Sequence, residues 1–435
     1  MGQDAGQWKD SLEYVTVTDI GRRRANNQDN FAVVLASDLD DWQQVGHMFL
    51  VADGMGAHAA GELASQLVAE NLPHLYRKHS SDSAPEALYR ALVETNDEVH
   101  RRGQANIEFN NMGTTVSALL LLPQGALVAQ VGDSRVYRLR NKHLEQMTFD
   151  HSLVWEMRAS GQLDDDHLLS DAIPKNVITR SIGPYSHVQP DFEGPFAVEK
   201  DDLFLICSDG LTGQISDGEL AVILSSLPMR AAGSLLRNLV NVRGGQDNIT
   251  LVVVKATADP VVTNRDEFEP IRIGANVGQA PVSVTVWVGL GIAMLGGLAA
   301  LVFEQAILSG VLLVGTVLGA VGLALWRVKN RHRAVTIPQG QRMGKAPYAI
   351  ADAEDLVGEV RAMIADVFRI SKNGAAEGWH NTEGDGRRYI SKATQHAKNG
   401  EGAEALEQLR RAVEFLNTEW NDSRGKGSSD SSIDL

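Results

Sequence analysis

The chain has a single cysteine, Cys207, among 435 residues. That excludes an internal disulfide and zinc sites built from several thiolates, and it suits a reducing compartment for the soluble parts. It also lacks a basic excess: 40 Lys and Arg stand against 55 Asp and Glu, a formal charge of −15. Binding nucleic acid along its length needs clustered cations, so that class is excluded, and a metal ion or a basic protein surface is the better partner. The N-terminal stretch MGQDAGQWKDSLEY has no apolar core behind a basic start, so no secretory signal is expected there. Gly6 stands where an N-acylation signal needs Ser or Thr. No Cys or His cluster has metal-ligand spacing. What is present is ordinary for folded protein: 43% hydrophobic and 22% charged residues exclude disorder over the full length. At roughly 100–200 residues per domain, two to four folded units are expected.

Residues 13–256 alternate short β-like runs with longer helical ones. YVTVTDI at 14–20 alternates with period two, and FAVVLAS at 31–37 and HMFLVADG at 47–54 are apolar runs that stop at Asp, Gly or Ser. TTVSALLLL and ALVAQVG flank Pro123-Gln124-Gly125 as a strand–turn–strand, and RVYRLR with HLEQMT flank Asn141-Lys142 as a second hairpin. LFLICSDG at 203–210 and NITLVVVK at 248–255 read as fully buried strands. Helical spacing of apolar residues recurs over 59–78, 85–102, 151–160, 217–225 and 230–241. Long antiparallel strands with helices kept to separate stretches predict an α+β layered sandwich, not a doubly wound sheet.

Beyond this region the character changes. Residues 257–281, with Pro260, Pro270 and Pro281, read as a linker. Residues 282–326 are one apolar block interrupted only by Glu304 and Gln305. A helix crossing needs about 20 residues, so the block predicts two transmembrane helices near 283–303 and 307–326. The alternative is a buried helix pair in a soluble domain. Trp287 and Trp326 fall near the outer ends, and Arg327, Lys329, Arg331 and Arg333 follow the second helix. Positive residues favour the cytoplasmic side, so the C-terminal part is expected in the cytoplasm. Two crossings return the chain to one side, which places the N-terminal domain there as well, at the inner face of the cell membrane. Gly315 and Gly319 form a GxxxG spacing that closes the hairpin or joins two copies as a dimer. Residues 334–420 read as a separate helical segment. An amphipathic helix at 352–372 carries Leu356, Val360, Met363, Ile364 and Val367 near one face, and a helix pair meets near Asn399-Gly400. The Ser, Gly and Asp of residues 421–435 predict a disordered tail.

Three carboxylates end or follow apolar runs and precede Gly or Asn: Asp53-Gly54, Asp209-Gly210 and Asp247-Asn248. A fourth, Asp133, stands in Gly132-Asp133-Ser134. Each alone reads as a turn residue, because Asp-Gly is a common turn pair. Together, three of them beside strands that look buried, they need a cation, since buried carboxylates are costly unless paired. Carboxylate and carbonyl oxygens suit hard divalent ions such as Mg2+ and Mn2+.

With these residues in view, the domain resembles the protein phosphatase 2C family of metal-dependent Ser/Thr phosphatases in its bacterial form. The blocks run in order: Thr18-Asp19-Ile20-Gly21 with Arg24, Asn27 and Asp29; Val51-Ala52-Asp53-Gly54-Met55-Gly56 with His58, Gly61, Glu62 and Ser65; Gly113-Thr114-Thr115; and Val131-Gly132-Asp133-Ser134-Arg135. Thr148, Asp150, His151 and Ser152 open a flap region that closes at Asn176-Val177-Ile178-Thr179-Arg180 and Gly183. Leu205-Ile206-Cys207-Ser208-Asp209-Gly210-Leu211 and Asp247-Asn248-Ile249-Thr250 complete the set. The resemblance spans a little over half the chain and implies a four-layer α-β-β-α sandwich.

By resemblance, Asp53 bridges two metal ions, the Gly54 carbonyl binds one, Asp209 and Asp247 hold the other, and Asp133 belongs to a third, weaker site. Arg24 grips the substrate phosphate, and Asp29 holds metal-bound water from behind. Two metals lower the pKa of the water between them, and the resulting hydroxide attacks phosphorus in line. His58 is the candidate general acid for the leaving alkoxide, with a structural histidine holding the loop as the alternative. Cys207 and His151 are expected to be structural. The family often has Glu where this chain has Gln28, and a second Gly where it has Ala57. Neither departure removes a metal ligand. The expected partners are phosphorylated proteins, the substrates of a Ser/Thr kinase. The competing reading is a membrane-anchored scaffold that binds phosphoproteins without turnover, and intact metal ligands argue against it.

Overall fold

The computed structural model of the protein describes residues 11–56, 59–163, 174, 177–258, 261–262, 271–273, 284–303, 305–329, 335–337, 343–376, 385–423 and 431–434. They fall into two compact units, one formed by residues 1–269 with 338–435 and the other by residues 270–337.

The first unit is built on two antiparallel sheets. One contains β2 (Asp29–Val34), β3 (His47–Met55), β5 (Val116–Leu122), β6 (Gly125–Val131) and β9 (Asp191–Phe196) in that order, with the short β4 (Gly113–Thr114) on β3. The other has the order β14-β8-β7-β10-β11-β1-β15. Its members are β1 (Leu12–Asp19), β7 (Arg135–Arg140), β8 (His143–Gln146), β10 (Leu203–Cys207), β11 (Ile249–Ala256), β14 (Ala349–Asp352) and β15 (Ser431–Asp434). The sheets face each other across a core that contains Phe49, Val51, Leu119 and Leu121 from the first and Phe204, Ile206, Val252 and Val254 from the second.

Alternation decides which side each residue serves. In β10, Phe204 and Ile206 point between the sheets, while Leu203, Leu205 and Cys207 point to the opposite core. Every residue of β5 and β6 is buried. A strand covered on both faces reads as a continuous apolar run, which is why these were legible as a strand pair. The β9 sequence, DFEGPF, mixes charge with Gly194 and Pro195 and gave no such signal. It lies at the sheet edge, where Pro is tolerated because no ladder donor is needed there.

Helices cover both outer faces. A short α1 (Leu39–Gln44) precedes β3, and α2 (Ala60–Lys78) packs on β2 and β3, with α3 (Ala84–Ala105) beside it. After α4 (Leu153–Ala159) and the single turn α5 (Asp209–Thr212), α6 (Asp217–Ser226) and α7 (Met229–Val242) cover the second sheet. Ser216 and Glu219 form a reciprocal capping box that starts α6. This is the expected α+β sandwich.

The second unit holds an apolar pair, α8 (Val284–Val302) and α9 (Ala306–Lys329), together with two short paired strands, β12 (Ile271–Ile273) and β13 (Val335–Ile337). A Cβ at Gly297 would meet Leu313 at 2.9 Å, and one at Gly319 would meet Leu290 at 3.2 Å, so the two helices run antiparallel and close together. Gly319 of the GxxxG therefore serves the hairpin itself, whereas a Cβ at Gly315 would meet nothing within 4 Å. Two crossings were expected. Among the described residues one stretch, Ala306–Leu323, is long and apolar enough to cross a membrane, with a mean hydropathy of 2.3. The apolar part of α8, Val286–Val302, is shorter than the ~20 residues of a full crossing. Glu304, Arg331 and Arg333 lie outside the described residues.

The C-terminal helices α10 (Leu356–Ala376), α11 (Asp385–Lys398) and α12 (Gly402–Ser423) are not set apart from the first unit. Val360, Met363, Val367, Leu409 and Leu416 share one core with Leu220, Leu235 and Leu239 of α6 and α7. Arg243 at the end of α7 bonds Asp366 of α10 at 2.9 Å, and Arg22 donates to Asn417 of α12 at 2.7 Å while its guanidinium lies 3.8 Å over Trp420. The chain end, expected to be disordered, continues as helix to Ser423, and Ser431–Asp434 adds an edge strand to β1.

Candidate active site

Strand ends gather the acidic residues. Asp29 opens β2 directly opposite Asp53 near the end of β3, so the ladder places both carboxylates on one face as near neighbours. Asp209 follows β10 and Asp247 precedes β11, and these two strands pair antiparallel. Asp133 lies in the turn from β6 to β7.

Their electrostatics record this crowding. Burial, and then the charges of Asp29, Asp209 and Asp133, push the Asp53 carboxyl well above the usual carboxylate range. Burial lifts Asp29 to about 7. The hydroxyls of Ser208 and Thr250 oppose that rise, and the charges of Asp209 and Asp247 add to it. Asp133 rises to about 8, again by burial first and then by Asp209 and Asp150. Burial and the charge of Asp247 also raise Asp209.

Local bonds hold each carboxylate in place. The Asp53 N–H donates to Thr115 Oγ1 at 2.9 Å, and the Asp53 carbonyl accepts from the Thr115 N–H and from Thr114 Oγ1, each at 2.9 Å. Ser208 Oγ donates to Asp29 Oδ2 at 2.7 Å. The Asn248 amide ties three loops: its Oδ1 accepts from the Gln28 N–H at 2.9 Å, and its Nδ2 donates to the Ile20 and Asn26 carbonyls at 2.9 and 3.0 Å. The small residue after Asp209 has a packing reason: a Cβ at Gly210 would lie 1.8 Å from the Asn248 carbonyl oxygen. One at Gly54 would lie 2.2 Å from the Gly61 carbonyl, so the loop and the start of α2 meet backbone to backbone. The Gly132–Asp133 peptide is gripped by His151, which accepts the Gly132 N–H at Nδ1 (3.1 Å) and returns its own N–H to the Gly132 carbonyl (2.9 Å). With Nδ1 accepting, Nε2 carries the proton and donates to Asp191 at 2.9 Å.

These groups fit divalent cations. Among the described residues no three His, Cys, Asp or Glu side chains close on one point as a ready-made cage. The carboxylates meet in pairs, and Asp247 Oδ2 is engaged by Arg24 Nη2 at 2.7 Å. An octahedral Mg2+ or Mn2+ keeps several waters and takes few carboxylates, so paired acids with a neighbouring backbone carbonyl are an appropriate set. Asp133 Oδ1 is buried without a hydrogen-bond partner, an acceptor suited to a cation or its water.

Asp29, Asp53, Asp133 and Asp209 are therefore brought together, with Asp247 beside them and Arg24 half-exposed at the rim. His58 lies outside the described residues. Roles for Ser208 and Asp191 were not read from the sequence. Ser208 directly precedes Asp209 and could have been suspected. Asp191 acts through His151, forty residues away in the chain, and carries no local signal.

The sequence profile of the family described as Protein phosphatase 2C matches residues 21–232. The protein phosphatase PhpP of Streptococcus pneumoniae is 36% identical over 250 residues, covering 56% of this chain and 97% of that protein. The serine/threonine phosphatase stp of Listeria innocua is 33% identical over 244 residues, covering 55% of this chain and 93% of that protein. Among solved structures, the serine/threonine phosphatase of S. agalactiae is 31% identical with a TM-score of 0.49, covering 56% of this chain and 99% of that one. A 36%-identical relative matched over nearly its whole length shows that the chain belongs to the protein phosphatase 2C family, and it is an enzyme of the phosphoprotein phosphatase class.

Proposed function

We propose that this phosphatase hydrolyses phosphoserine and phosphothreonine in proteins with divalent Mg2+ or Mn2+ held by Asp53, the Gly54 carbonyl, Asp209 and Asp247, and a weaker ion near Asp133. The observation that carries the reading is the gathering of carboxylates at adjoining strand ends, Asp29 opposite Asp53, and Asp209 and Asp247 at the joined ends of β10 and β11, with the buried Asp133 Oδ1 unpartnered beside them. When bound, the ions supply positive charge that lowers the pKa of water and offsets the charge on the phosphoryl oxygens.

The chain's own residues do the rest. Arg24 stands at the rim, where a guanidinium leaving Asp247 makes two parallel bonds to phosphate. Asp29, steadied by Ser208, orders water behind Asp53. His58 returns a proton to the departing serine or threonine oxygen. Cys207 is buried and its thiol is pushed far up by that burial, so it serves as packing and not as a nucleophile.

The apolar pair serves as a tether to the inner membrane, with the catalytic and C-terminal parts both in the cytoplasm. Leu295, Leu298, Ile307 and Val311 are among the large apolar side chains that α8 and α9 leave exposed. Soluble surfaces rarely carry so continuous an apolar face. After an alkaline carbonate wash the full chain should stay in the membrane pellet, and recovery in the supernatant would reject the tether.

Activity is tested with the full chain in detergent, a phosphothreonine peptide and Mn2+. Phosphate release that a chelator abolishes is the expected result. No release, with the metal bound, would favour a non-catalytic phosphoprotein-binding scaffold.

A further inference from the structure

Residues 343–352 lie beyond the family match at 21–232 and run across the catalytic domain as a strap. The Met343 N–H donates to the Gly194 carbonyl, the Tyr348 N–H donates to the Gln146 carbonyl at 2.8 Å, and β14 extends the sheet beside β8.

One strap residue, Tyr348, touches three supports of the Asp133 turn. Its ring packs on Phe149 with centroids 5.5 Å apart, and on Trp155 at 6.5 Å. Its hydroxyl donates to Glu193 Oε1, whose partner oxygen accepts from the Ala346 N–H at 3.1 Å. Each contact leads one step further to the turn. Phe149 adjoins Asp150, which holds Arg135 through Nε and Nη2 at 2.7–3.0 Å. Trp155 lies on α4, at the opening of the flap, and the Arg135 guanidinium stands 5.6 Å from its ring. Glu193 is two residues along β9 from Asp191, which receives both His151 Nε2 and Arg180 Nη1 at 2.9 Å. Arg135 and His151 bracket Gly132–Asp133–Ser134 from its two sides.

We propose that Tyr348 is a positioning residue for catalysis: the strap that follows the apolar pair in sequence sets α4 and the Asp133 carboxylate through Phe149, Trp155 and Glu193. A chain segment outside the residues matched by the family then tunes cation affinity at the site. The inference rests on the assignment of Asp133 to a cation site made above. Two contact types act in parallel, ring packing and the hydroxyl bond to Glu193, so Tyr348→Phe removes one and Tyr348→Ala removes both.

The test uses the full chain with Tyr348→Phe, Tyr348→Ala, Asp133→Asn and the Tyr348→Ala/Asp133→Asn double variant. Two quantities are read: the Mn2+ concentration giving half-maximal hydrolysis of a phosphothreonine peptide, and hydrogen exchange in chelator. Tyr348→Ala should raise the half-saturating Mn2+ roughly five- to tenfold and Tyr348→Phe less, and Tyr348→Ala should add nothing to the shift in the Asp133→Asn background. Exchange at residues 131–136 and 150–158 should quicken while β10 and β11 keep wild-type protection. An equal shift in the Asp133→Asn background would overturn the inference, as would uniform quickening across the sheets. An inactive wild-type chain would instead contradict the phosphatase reading on which the inference stands.

Discussion

Asp29 and Asp53 face each other across a β ladder, an arrangement that like charges oppose. The direction of their shifts sets how stability responds to pH. Carboxyls raised to about 7 at Asp29 and about 8 at Asp133 bind protons more tightly in the folded chain than in the unfolded one. Their contribution is present at low pH and is lost as pH rises from the ordinary carboxylate value through the folded one. In chelator, the melting temperature should therefore fall between pH 5 and pH 8 by calorimetry. Added Mn2+ should raise it, and more at pH 8 than at pH 6, because the ionised carboxylates are the binding form. A flat profile would contradict the shared site. Asp53→Asn relieves the repulsion, so in chelator at pH 8 it should melt no lower than wild type, while phosphate release falls roughly a hundredfold or more. At this scale Asp53, Asp133, Asp209 and Asp247 were legible because they stand at strand ends before small residues. Asp191 and Glu193 were not, since each acts through a partner distant in sequence.

The reason for the small residues emerges among the elements. Gly210 lets the turn after β10 lie against the Asn248 carbonyl that opens β11, so Gly210→Ala must move one of two paired strands. That overpacking should destabilise by about 2–3 kcal/mol in denaturant titration and lower activity with it. A wild-type midpoint would mean the close approach is not required. Strands buried on both faces were readable from their continuous apolar runs. The edge strand β9 was not, because although five of its six residues are buried, Glu193, Gly194 and Pro195 interrupt the apolar run. The apolar block was legible as two helices, but its division into two full spans was not, since the apolar stretch of α8 is the shorter.

For the whole molecule, the main departure is the place of the C-terminal helices. The stripe Val360, Met363 and Val367 was visible in the sequence, but periodicity shows that a face is apolar without showing what covers it. Here Leu220, Leu235 and Leu239 on the back of the catalytic sandwich cover it. The unit should therefore melt as one transition that includes both parts, and Leu409→Ala, far from the carboxylates, should destabilise it by about 2–5 kcal/mol. Separate transitions for the catalytic and C-terminal parts would contradict that shared core.

The central claim is that acidic side chains from distant parts of the chain hold divalent cations together. It is met most directly by calorimetric titration of Mn2+ into the chelator-treated, full-length protein, beside its Asp53→Asn variant. The account predicts two bound ions per wild-type chain and a loss of that binding in the variant. Wild-type protein that takes up no Mn2+, or a variant that binds it just as well, would contradict the account.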